Sequence, residues 1–171
     1  MRVLSIDPAL RNTGYAVLER RDGGRQPVYA AVDYGVIRNH RDLNQSHCLV
    51  AIRKQLAAVI ALHRPEVCAV ESIIYVQSFK TAITMGAARG AAMIAAAEAD
   101  LSIHEYPPTR VKQAVVGRGG ATKDQVAFMM RALLGLTETP PADAADALAI
   151  GMTHLYTAGT KTIFGEALRD I

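Results

Sequence analysis

At 171 residues the chain suits one domain, long enough to bury about 70% of its unfolded surface. Its 50% apolar and 20% charged residues exclude extended disorder, and a net charge of +3 is compatible with a nucleic-acid partner without demanding one. The Ala-rich run from Gly86 to Ala99 carries Arg89 and Glu98 and falls short of the ~20 apolar residues that cross a bilayer, so no membrane segment is expected. In chain order, Val3-Leu4-Ser5-Ile6 predicts a short buried strand ended by Asp7-Pro8. Arg11-Asn12-Thr13-Gly14 is turn chemistry, and Tyr15-Ala16-Val17-Leu18 reads as a second strand. Arg20 to Pro27 is charged and Gly-rich, hence a loop, and Val28 to Arg38 predicts a third strand; the three form an antiparallel meander. From about Leu43 to His63, residues Leu49, Ile52, Leu56, Val59 and Ile60 fall at helical spacing, and Pro65 ends that helix. Val67-Cys68-Ala69-Val70 predicts an apolar strand with Glu71 at its exit.

A second helix is expected over about Gln77 to Ala99, with Gly86, Gly90 and Ala97 on one small face suited to close packing or a dimer seam. Leu101 to Glu105 predicts a fifth strand, Thr109 to Val116 a short helix, and Gly117-Arg118-Gly119-Gly120 a flexible loop. Thr122 with Gln125 makes a capping box that opens a helix to about Leu134. Pro140-Pro141 then start an Ala-rich helix bearing Asp143 and Asp146. The expected fold class is α/β, with a mixed five-stranded sheet flanked by helices. One domain is expected over residues 1–156, followed by a C-terminal tail, 157–171, that carries no signal. The N-terminus runs straight into a strand pattern, so no signal peptide is expected. Cys48 and Cys68 lie in apolar surroundings without CxxC spacing and read as reduced core residues of a cytoplasmic protein.

The chemistry concentrates in carboxylates. Asp143 and Asp146 stand three residues apart on one helix face that Ile150 and His154 continue, with no Lys or Arg between them. Two acids on a covered face repel and lose hydration, and a cation answers both costs. Asp143 alone reads as readily as an N-cap. Asp7 and Glu71 each end an apolar strand, where ligands bind in α/β sheets, although either alone is an ordinary turn residue. If the first and fourth strands are neighbours, the four carboxylates make a hard-oxygen site suited to Mg²⁺ or Mn²⁺. Two such ions about 3.5–4 Å apart activate water and stabilise the leaving oxygen in phosphodiester hydrolysis. Lys123, at the first turn of a helix beside a Gly-rich loop and Arg118, belongs to a phosphate cradle. Lys112 alone is an ordinary solvated lysine. Arg89, among alanines and glycines, either snorkels to solvent or touches DNA. His154 is more often a satisfied core histidine than a catalyst.

Several motifs in order resemble one family. They are Ile6-Asp7-Pro8 with Thr13-Gly14-Tyr15, Glu71, Gly86-Ala87-Ala88-Arg89-Gly90, Val111 to Gly117, Lys123-Asp124-Gln125-Val126, and Ala142 to Ile150. From Met1 to about Tyr156 the chain resembles RuvC-type Holliday-junction resolvases of the RNase H-like superfamily. The resemblance implies a homodimeric, Mg²⁺-dependent endonuclease of recombination and repair, cutting opposed strands of a four-way DNA junction beside branch-migration machinery of the RuvAB type. By position it implies Asp7, Glu71, Asp143 and Asp146 as metal ligands, and Lys112 and Lys123 as DNA contacts near the scissile phosphate. Ser72 and Ile74 stand where the family usually has Gln and an aromatic residue, which leaves Ile74, Tyr75 or Phe79 as the wedge at the junction centre. An RNase H-like nuclease of RNA or hybrid duplexes and a non-catalytic junction scaffold are the alternative readings.

Overall fold

The computed structural model describes residues 1–73 and 78–164, with the backbone alone for 160–164. The described residues form five strands and five helices in the order β1 (Arg2–Asp7), β2 (Asn12–Arg21), β3 (Val28–Arg38), α1 (Gln45–His63), β4 (Val67–Glu71), α2 (Phe79–Ala97), β5 (Ser102–Tyr106), α3 (Pro108–Val116), α4 (Lys123–Leu134) and α5 (Ala142–Phe164). The sheet order is β3-β2-β1-β4-β5. β1, β2 and β3 form the expected antiparallel meander, and β4 and β5 join in parallel, β4 directly beside β1.

Period-two alternation sorts the strands into two faces. Leu4, Ile6, Val17, Cys68, Val70 and Ile103 point to α1 and the Ala-rich side of α2. Val3, Ala16, Leu18, Val67, Ala69 and Tyr106 point to α3, α4 and α5. The second face is lined by small residues, so α5 lies close to the sheet. A Cβ on Gly151 would stand 2.6 Å from the Ser5 hydroxyl, and one on Gly14 only 2.0 Å from the Asp143 carbonyl oxygen.

Two boundaries differ from expectation. Asn12-Thr13-Gly14 belongs to β2, not to the turn, because Asp7 pairs with Gly14 and Thr13 with Ile37. The turn before it is closed by the Thr13 hydroxyl, which donates to the Ala9 carbonyl at 2.6 Å. Arg11 holds the facing loop by donating to the His40 and Leu43 carbonyls. The expected tail also begins as helix: α5 continues past Tyr156 to Phe164, and Gly159 packs against the Arg20 guanidinium. Residues 165–171 lie outside the described residues.

Candidate active site

Asp7 and Glu71 follow the alternation of their strands. Asp7 is two residues beyond Ser5 and Glu71 two beyond Ala69, so both point to the α3–α5 face. β1 and β4 are parallel neighbours with Ile6 opposite Val70, which sets the two acids side by side at the strand exits. α5 supplies the other pair. Its first turn contains Asp143 and rests directly on Gly14, the residue paired with Asp7, which only a glycine allows at that range. Asp143 is thus inside the helix and not its N-cap; the Ala145 amide donates back to the Pro141 carbonyl at 2.8 Å.

Electrostatics bind these groups into one cluster. Burial pushes the Asp7 carboxyl up to about 7, reinforced by the charges of Glu71, Asp146 and Asp143, with Lys123 opposing. Glu71 is raised for the same reasons, burial first and then Asp146, while Lys112 and Lys123 pull it down. Lys123 Nζ donates to Asp146 Oδ2 at 3.1 Å, which raises the lysine in turn. A cluster so short of positive charge, made only of hard oxygen donors, fits a divalent cation in charge and in ligand type. The side chains are not yet closed around one point: among the described residues, no three carboxylate, imidazole or thiolate groups are gathered closely enough to hold an ion. The charges of Asp146 and Asp143 nevertheless reach Asp7, and that of Asp146 reaches Glu71. A cleft of about 310 Å³ opens beside Asp7 and Glu71, lined also by Ser72, Met85, Pro108 and Thr109.

The basic residues divide. Lys112 on α3 and Lys123 at the start of α4 both act on the carboxylate charges. Arg118 is exposed in the loop between these helices. Arg89 does not face the cleft. It sits on the opposite side of the sheet with its side chain only 12% exposed, paired with Glu105 of β5. Residue 105 alternates to the α2 face, away from Tyr106 and Glu71, so the arginine completes an ion pair there and is not presented as a DNA contact. His154 is buried, and its Nδ1 shares a 2.9 Å hydrogen bond with the Tyr106 hydroxyl, as a core histidine does. Ile74 and Tyr75 lie outside the described residues, whereas Phe79 stands 91% exposed at the start of α2. Glu105 and Gly14 were not singled out from sequence for these roles. For Gly14 a signal existed, since glycine inside a strand marks a close backbone approach.

This sheet order, with acids at the exits of the two central parallel strands and on the helix laid across them, defines an RNase H-like nuclease. The family model described as "Crossover junction endodeoxyribonuclease RuvC" matches residues 3–154. A crossover junction endodeoxyribonuclease RuvC of Akkermansia muciniphila is 60% identical over 158 residues, 92% of each chain. That of Chloroflexus aggregans is 45% identical over 96% of this chain and 99% of its own. Among solved structures, Thermus thermophilus RuvC in complex with Holliday junction substrate superposes with a TM-score of 0.87 at 32% identity, covering 100% of this chain and 99% of the other. The chain belongs to the RuvC family of crossover junction endodeoxyribonucleases.

Proposed function

We propose that the protein resolves four-way DNA junctions by paired symmetric nicks, hydrolysing one phosphodiester in each of two opposed strands. What supports the reading is that Asp7 and Glu71, at the exits of β1 and β4, line one cleft and feel the charge of Asp146 on α5. Asp7, Glu71, Asp143 and Asp146 would hold Mg²⁺, two ions in the full reading, with Mn²⁺ as a substitute. When bound, the metal supplies an activated water and stabilises the leaving oxygen. Among the described residues that line the cleft there is no histidine or cysteine, and water is the proposed attacker.

The chain's own residues do the rest. Lys112 and Lys123 flank the carboxylates and meet the charge that develops at the scissile phosphate. Arg118 and the first amides of α4 take a neighbouring phosphate, with the helix dipole adding to their charge. Ile74, Tyr75 or Phe79 would wedge the opened crossover, and of these Phe79 lies among the described residues with 91% exposure. A homodimer places two such sites on one junction, and α2 offers the surface for it. Phe79, Ile83, Gly86, Gly90 and Ile94 recur along one side of that helix, where Cβ atoms on the two glycines would meet nothing within 4 Å. The small face expected to pack is therefore not used within the protomer, which supports the dimer-seam alternative. A RuvAB-type motor is the proposed partner for branch migration. The deciding experiment is incubation of an end-labelled synthetic junction with and without Mg²⁺. Paired nicks at symmetric positions are expected only with the metal; cleavage of a hybrid duplex in preference to the junction would overturn the substrate assignment.

A further inference from the structure

Lys123 holds a position between two demands. It is the first residue of α4, and the capping box fixes its backbone: the Gln125 amide donates to the Thr122 hydroxyl at 3.3 Å, and the Thr122 amide donates to Gln125 Oε1 at 3.0 Å. The four-carbon stem is free to swing, and the side chain is 67% exposed. Its ammonium nevertheless turns inwards to donate to Asp146 Oδ2 at 3.1 Å. The Gly-rich loop with the exposed Arg118 precedes it in the chain. An ammonium and a divalent cation on the same carboxylate repel each other strongly at short range.

We propose that Lys123 is an electrostatic latch, bonded to Asp146 in the metal-free protein and released towards the DNA backbone when a divalent cation binds the carboxylates. Metal loading and grip on the junction are then coupled through one side chain, and the coupling is reciprocal: each ligand tightens the other by the same factor. The latch keeps the carboxylate cluster partly neutralised before loading and withholds a phosphate contact until the site can cut. It rests on the metal-site reading of the four acids, and its test separates the two.

The probe is Mn²⁺ alone, titrated calorimetrically into the full-length protein, with unchanged melting of each variant confirming the fold. Asp146→Asn is expected to weaken Mn²⁺ binding; binding unchanged in that variant overturns the metal site and the latch with it. Lys123→Met removes the competitor and is expected to bind Mn²⁺ about 3–10-fold more tightly, at the low end of couplings between sites because the ion pair is largely exposed. On a junction carrying uncleavable phosphorothioate linkages, Mn²⁺ should raise the wild-type affinity by a similar factor and the Lys123→Met affinity less. Mn²⁺ affinity unchanged or weakened in Lys123→Met, with Asp146→Asn behaving as expected, overturns the latch alone. An equal gain in Lys112→Met would show a general field effect and would also overturn it.

Discussion

Burial and the neighbouring carboxylates hold Asp7 well above the usual carboxylate range, and its titration is a measurable consequence. Its folded-state value of about 7 lies above the usual 3.8, so between these limits the folded protein binds the extra proton. The stabilisation is fully present below pH ~4 and is lost as pH rises through about 7. In metal-free protein the melting temperature should therefore fall over this window relative to Asp7→Asn, in which the slope flattens, with a difference of about 2–4 kcal/mol at pH 8. Parallel curves for the two proteins would show that the carboxyl is not held in this way. In activity, Asp7→Asn, Glu71→Gln, Asp143→Asn and Asp146→Asn should each abolish cleavage while retaining gel-shift binding to a junction, because phosphates are gripped by other residues. Near-normal cutting by any two of them would exclude a shared metal site. Lys112→Ala and Lys123→Ala should slow single-turnover cleavage by about 10²-fold with a smaller loss of binding. Normal cutting accompanied by poor binding would reduce both lysines to docking contacts.

Among the elements, α5 and β2 meet at the closest range in the site, and Gly14 is the point of contact. A methyl group there meets the Asp143 carbonyl, which is backbone and cannot rotate away. Gly14→Ala should cost about 1–3 kcal/mol and shift the first turn of α5 off β1, so cleavage should fall further than the melting temperature alone explains. An alanine variant with wild-type melting and cleavage would show that the contact is loose. Much of the architecture was legible in the chain where a local signal marks it: the apolar run Val67 to Val70 before Glu71, the Thr122–Gln125 box and the Pro140-Pro141 start all fall where the residues put them. What was not legible depends on contacts distant in sequence. Asn12-Thr13-Gly14 looks like a turn until Arg38, Ile37 and Val36 pair with it. Arg89 looks exposed among small residues until Glu105 is seen beneath it. Residues from Thr157 onward have weak local signals, and only packing on Arg20 shows that the helix continues there. In the site itself the acids could be chosen by chemistry, but their shared face required knowing that β4 pairs with β1.

For the molecule as a whole, the proposed homodimer rests on the exposed stripe of α2. Ile83, 70% exposed at mid-stripe, tests the dimer with least damage to the protomer. Ile83→Glu should halve the mass seen in sedimentation at micromolar concentration and turn paired cleavage into unpaired single nicks, with the melting of the protomer little changed; an unchanged mass would move the dimer seam elsewhere. The placement of the acidic helix has a different consequence. α5 touches all five strands as well as α3 and α4, so none of its central turns can open to solvent without dismantling the sheet. Amide exchange along Ala144 to Leu155 should accordingly proceed only through global unfolding, and the carboxylates that ride on this helix share that protection. Thermal inactivation and thermal melting should then coincide, and the flexibility that accommodates a crossover should lie in the loops around this helix, which is the last part of the protein to yield.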